Sequence, residues 1–129
     1  MIGQRFYLDK YQWAVVVLYN VDSGDTEFVQ DNLSKICKDK MLIKNSTRYI
    51  EQDILNTGFT YSNFDNKITL IVISKSTSNK EFLNTIIHEA NHLQSHIATV
   101  YNLDEKGEEV CYLIAHIVET MYGVFKKII

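Results

Sequence analysis

The chain has 129 residues, of which 46% are apolar and 22% charged, a balance that fits one packed core and argues against a disordered or low-complexity protein. A formal charge of −3 leaves no broad basic surface for phosphate contacts, which argues against a nucleic-acid binder. The longest apolar run, Ala14 to Tyr19, is too short to cross a bilayer, and the first residues lack the apolar segment of a secretory signal. Cys37 and Cys111 form no CxxC pair, so neither a disulfide framework nor a thiolate zinc site is expected. With no proline and five glycines, composition marks no linker. The expectation is one cytoplasmic domain spanning residues 1–129, with no membrane or nucleic-acid partner.

In chain order, Arg5 to Asn20 is rich in Tyr, Trp and Val, and Ala14 to Tyr19 reads as a buried strand. Asp22-Ser23-Gly24-Asp25 supplies turn and cap chemistry for a helix with Phe28, Val29, Leu33, Ile36 and Cys37 at helical spacing. Met41 to Ile43 is an apolar patch of undefined type. Asn45-Ser46-Thr47 is expected to open a second helix, closed by Gly58. Phe59 to Tyr61 and Lys67 to Ser74, joined by Ser62-Asn63-Phe64-Asp65-Asn66, read as a hairpin whose second strand is apolar enough to be central. Ser78-Asn79-Lys80-Glu81 is a capping box, followed by a helix with Phe82, Leu83, Ile86, Ile87, Ala90, Leu93 and Ile97 on its apolar face. After a turn at Asn102-Leu103-Asp104, a last helix to about Lys127 carries Val110, Leu113, Ile114, Ile117, Met121 and Phe125. This order predicts an α+β fold, with a small, mostly antiparallel sheet packed against helices.

The helix after the hairpin contains His88-Glu89-Ala90-Asn91-His92, an HExxH match. Four residues of helix turn through about 400° and rise about 6 Å, so both imidazoles point the same way and are able to grip one zinc ion. Glu89 lies beside that metal, placed to take a proton from a water whose pKa the zinc has lowered. A bland reading, two unrelated histidines on a solvated face, is weakened by the capped start and the preceding strand.

A hydrolytic zinc site needs a third protein ligand and an open position. The longer HExxHxxGxxH form is absent, and His96 lies about 12 Å along the axis from His88, too far to share a metal with both histidines. The last helix offers Glu108, Glu109 and His116. If the HExxH helix ends near Ile97 and the last helix runs back antiparallel from about Leu103, Glu108 lies level with His92 and is favoured. If it continues to Val100, the level shifts by a turn and His116 becomes the candidate.

His88 to His92, followed by Glu108-x-x-Cys111-Tyr112-Leu113, resembles the gluzincin type of zinc metallopeptidase, in particular the small HExxH proteins encoded by phages and mobile elements. Asn56-Thr57-Gly58-Phe59-Thr60-Tyr61-Ser62-Asn63 adds to the likeness, which covers residues 56 to 115. The resemblance implies a zincin-like HExxH helix followed by an antiparallel C-terminal helix, with His88, His92 and Glu108 as zinc ligands and Glu89 as general base. It also implies a peptide or protein substrate lying extended along the sheet edge near Ile68 to Ser74. Larger relatives supply an oxyanion donor from a C-terminal subdomain. With none expected beyond Ile129, Tyr112 and His116 are the nearest candidates, set against their reading as packed amphipathic side chains.

The leading expectation is a zinc-dependent hydrolase acting on a peptide bond. The alternative is a non-catalytic, zinc-stabilised protein that binds a partner. Two histidines and a carboxylate also suit manganese, iron and cobalt. The tyrosines and Trp13 near the N-terminus read as sheet packing, Lys35, Lys38, Lys40 and Lys44 as a solvated face, and Cys37 as core.

Overall fold

The computed structural model describes residues 1–129 as an α+β arrangement with one mixed four-stranded sheet between two pairs of helices. The N-terminal region is a hairpin rather than a single strand. β1 (Ile2–Leu8) pairs antiparallel with β2 (Trp13–Val21) across a short 3-10 turn at Asp9–Tyr11. β1 is an edge strand with little buried surface, so its alternation is weak. Thr26–Ser34 forms α1, preceded by a capping box in which Asp22 accepts from Gly24 and Asp25 answers onto the Asp22 N–H.

α2 spans Lys40–Glu51, starting five residues before Asn45. Asp39 is its cap, one carboxylate oxygen accepting from the N–H groups of Met41 and Leu42, and this draws the apolar patch into the helix. The helix stops well before Gly58. Asp53 and Asn56 take left-handed backbone, and Gly58 lies within β3 (Gly58–Asn63). β3 pairs antiparallel with β4 (Ile68–Ser74), which also pairs in parallel with β2, giving the order β1-β2-β4-β3. Two of the three pairings are antiparallel, and β4 is central, as its apolar run predicts.

Alternation sorts each strand between two cores. Val15, Val17 and Tyr19 of β2 and Ile71 and Ile73 of β4 face α3 (Asn79–Tyr101) and α4 (Glu108–Phe125). Leu18, Leu70 and Val72 face the opposite layer, with Val29 and Leu33 of α1, Cys37, and Ile50 of α2. Phe82 near the start of α3 packs edge-on against Phe125 at the end of α4, with ring centroids 5.9 Å apart, so the two helices run antiparallel. The Ser78 hydroxyl accepts from the Glu81 N–H at the start of α3. No helix is long and apolar enough to cross a membrane.

The apolar stripes are narrower than their sequence suggests. Phe82, Ile86, Ala90, Leu93 and Ile97 are buried, whereas Leu83 and Ile87 are 39% and 48% exposed. Ile117→Ala is therefore expected to lower the free energy of unfolding by about 2–4 kcal/mol, by transfer loss and the cavity left behind. Leu83→Ala should cost less than about 1 kcal/mol, because its side chain already meets water. Urea denaturation of both variants checks the contrast.

Candidate functional site

α3 lies over β3 and β4 on one side of the sheet, and its HExxH segment turns toward the edge strand. The inward residues of β3 alternate Gly58, Thr60, Ser62, all small, and each meets α3. A side-chain carbon on Gly58 would stand 3.2 Å from Glu89 Cγ. The Thr60 hydroxyl donates to Glu89 Oε1 at 2.8 Å and lies 3.2 Å from the Glu89 backbone carbonyl. The Ser62 hydroxyl meets His96 Nδ1 at 2.7 Å. The signal for this seam was in the sequence, as a Gly-x-Thr-x-Ser alternation, but only a structure says which helix it serves.

Beside that seam, His88 and His92 stand one turn apart on the exposed flank of α3. Their Nε2 atoms are 3.2 Å apart, and their rings are close to perpendicular. Glu89 is buried at 3% exposure, with Oε2 4.0 Å from His88 Nε2. One carboxylate oxygen is thus anchored by Thr60 while the other faces His88. A cleft of about 280 Å³ opens here, bounded by Tyr49, Gly58, Asn84, His88 and Glu89.

The pair has the right bite for one metal ion. Two nitrogens about 2.0–2.1 Å from a tetrahedral zinc stand about 3.3–3.4 Å from each other, close to the 3.2 Å observed. His88 and His92 are the two donors so placed, and no group of three or more His, Cys, Asp or Glu side chains is arranged to hold a metal ion together.

Glu108, the favoured third ligand, is placed elsewhere, and so is its alternate, His116. α3 does not end near Ile97 but continues to Tyr101, where Asn102 takes a left-handed cap and the Leu103 N–H returns to the Ala98 carbonyl. His92 is then nine residues, about 13 Å, from the end of the helix, and Glu108 at the start of α4 is level with that end. His116 is nearly level with His92 but on the wrong side. α4 lies over β1, where Gln4 donates to the Thr120 carbonyl, and the HExxH face turns away from it toward β3. Glu108, Tyr112 and His116 line a separate groove of about 530 Å³ against Tyr7 to Tyr11. Tyr112 and His116 are therefore not placed as oxyanion donors to the histidine pair.

Glu109, the remaining alternate, accepts from the Tyr11 hydroxyl at 2.9 Å and pairs with Lys10 at 3.0 Å. Those hydrogen bonds hold its carboxyl below the usual range. Cys111 and Ala115 on the same helix are exposed. The groove at α4 is the larger concavity, whereas His88 and the anchored Glu89 line the smaller one. β4 is interior, with β2 and β3 bonded on either side, so no peptide can add along Ile68 to Ser74. The free sheet edge beside α3 belongs to β3.

His96 completes the α3 face. Burial and the neighbouring His92 hold its imidazolium below the ordinary histidine range. No family model, curated protein or solved structure matches the chain.

Proposed function

We propose that the chain is a metal-dependent hydrolase of zincin-like type, acting on an extended peptide, with His88 and His92 holding zinc by two protein ligands instead of the usual three and Glu89 as general base. The observation that carries this reading is the 3.2 Å separation of two Nε2 atoms beside a buried carboxylate with one free oxygen. Zinc, when bound, would supply a Lewis acid that makes an attacking water acidic near neutral pH. Glu89 Oε2 accepts the proton of that water and passes it to the leaving amine, while Thr60 keeps Oε1 from turning away. The peptide adds as a fifth strand along the free edge of β3, its main chain bonding to that strand.

One observation favours a second reading. The His88 side chain is 67% exposed, and this chain brings no third ligand to it. A carboxylate or imidazole from a partner protein would complete a closed site there, and the zinc would then join two proteins rather than cleave one.

Glu89→Gln separates the two readings. For a hydrolase, zinc-loaded wild-type protein cleaves members of a peptide library, and the variant binds zinc normally but loses at least about a hundredfold in rate. Cleavage that is absent from the wild type, or equal in both proteins, would overturn the hydrolytic reading.

A further inference from the structure

The core behind the site holds a chain of polar side chains that packing alone does not require. Trp13 Nε1 donates to Thr69 Oγ1 at 2.7 Å, Thr69 Oγ1 meets Ser62 Oγ at 2.7 Å, and Ser62 Oγ meets His96 Nδ1 at 2.7 Å. Trp13 and Thr69 are fully buried, and Ser62 is nearly so.

The direction of each bond follows from what the groups are able to do. An indole N–H only donates, so Thr69 Oγ1 accepts from Trp13. If His96 Nδ1 carried a proton, it would donate to Ser62 and Ser62 to Thr69. The Thr69 hydroxyl proton would then be buried with no acceptor, an arrangement that proteins avoid. In the opposite order every proton is used: Trp13 to Thr69, Thr69 to Ser62, Ser62 to His96. Nδ1 is then an acceptor, and the proton of the neutral ring sits on Nε2. Phe64 packs against the ring, with centroids 5.2 Å apart and planes tilted by 54°. His96 Nε2 has no partner within the chain and is not among its buried, unpaired polar atoms.

We infer that His96 is a substrate-positioning residue, held in its Nε2–H form by the Trp13–Thr69–Ser62 relay so that it donates a hydrogen bond to a main-chain carbonyl of the extended peptide. This rests on the peptide reading of the cleft. His96 lies on the same helix as the histidine pair, about 9 Å along the axis from its midpoint. An extended chain covers that distance in about three residues, so the carbonyl lies about three residues from the bond to be cut. A proton on Nε2 also removes that nitrogen from the set of metal ligands.

The first test is histidine-selective nitrogen NMR of the full chain without metal. It should give a single Nε2–H form for His96 in the wild type and a mixture of tautomers in Ser62→Ala and in Thr69→Val. An Nδ1–H form or a mixture in the wild type would overturn the assignment. The second test titrates a blocked hexa-alanine peptide into zinc-loaded Glu89→Gln protein, alone and with His96 changed. His96→Phe should weaken binding roughly tenfold, and His96→Gln, which keeps an N–H near the same place, should restore most of it. Equal binding with phenylalanine would overturn the donor role. No binding even with His96 intact would overturn the donor role together with the peptide reading, and the tautomer result would stand apart from both.

Discussion

His92→Ala is expected to lower zinc affinity by about a hundredfold, and Glu108→Ala to leave it unchanged. A structural zinc site with four ligands is worth roughly 10–16 kcal/mol, or about 3 kcal/mol for each ligand. Two imidazoles therefore supply about 5–8 kcal/mol, which corresponds to a dissociation constant of about 1–200 μM. Removing one leaves a single surface histidine. Glu108 makes no contribution because it stands at the far end of α3 from His92, in the groove against β1. Calorimetric titration of the three proteins with zinc decides the matter. Nanomolar binding by the wild type, with a large loss in Glu108→Ala, would mean that α4 moves to close the site and that the two-ligand arrangement is not the one that binds.

That comparison isolates what the sequence could and could not convey. Periodicity reports which side of a helix is apolar, and Phe82, Ile86, Ala90, Leu93 and Ile97 were readable as a stripe for that reason. The HExxH pair was readable because helix geometry alone puts residues four apart on one flank, and there the two side chains bring their nitrogens within 3.2 Å. The third ligand depended on where α3 ends and on which side α4 packs. The end was in fact signalled, since Asn102 is suited to a left-handed cap. The side was not, because it follows from the parallel pairing of β2 with β4, which places β3 and β1 at opposite edges of the sheet. Pairing between strands so distant in sequence leaves no local mark. The same applies to Thr69 and Ser62, whose hydroxyls look like ordinary strand residues until Trp13 and His96 are placed on either side of them.

Gly58 and Gly3 are both strand glycines, and alanine at the two positions should have opposite effects. Gly3 lies on the edge strand β1, where a side-chain carbon would meet only Leu18 Cδ2 at 3.8 Å, an ordinary contact. Gly3→Ala removes conformational freedom from the unfolded chain and is expected to stabilise by up to about 1 kcal/mol. At Gly58 the same carbon would stand 2.7 Å from the Val72 carbonyl oxygen, 3.1 Å from Thr85 Cγ2 and 3.2 Å from Glu89 Cγ. The first of these is backbone inside the β3–β4 ladder and cannot swing aside, so β3 must move away from β4 or from α3. Gly58→Ala is therefore expected to cost about 2–3 kcal/mol, and Gly58→Val more. The displacement acts on the site as well as on stability. Thr60 is two residues along the same strand, and its hydroxyl is the only group that hydrogen-bonds a Glu89 carboxylate oxygen. Loosening that bond frees the carboxylate to turn toward water, so Gly58→Ala should reduce hydrolysis even at temperatures where the variant is fully folded. Zinc affinity should be nearly unchanged, because His88 and His92 sit on α3 itself. Thermal denaturation and zinc titration of Gly3→Ala and Gly58→Ala test both parts. Equal stability of the two variants would mean that β3 does not pack against α3 as closely as Gly58 allows.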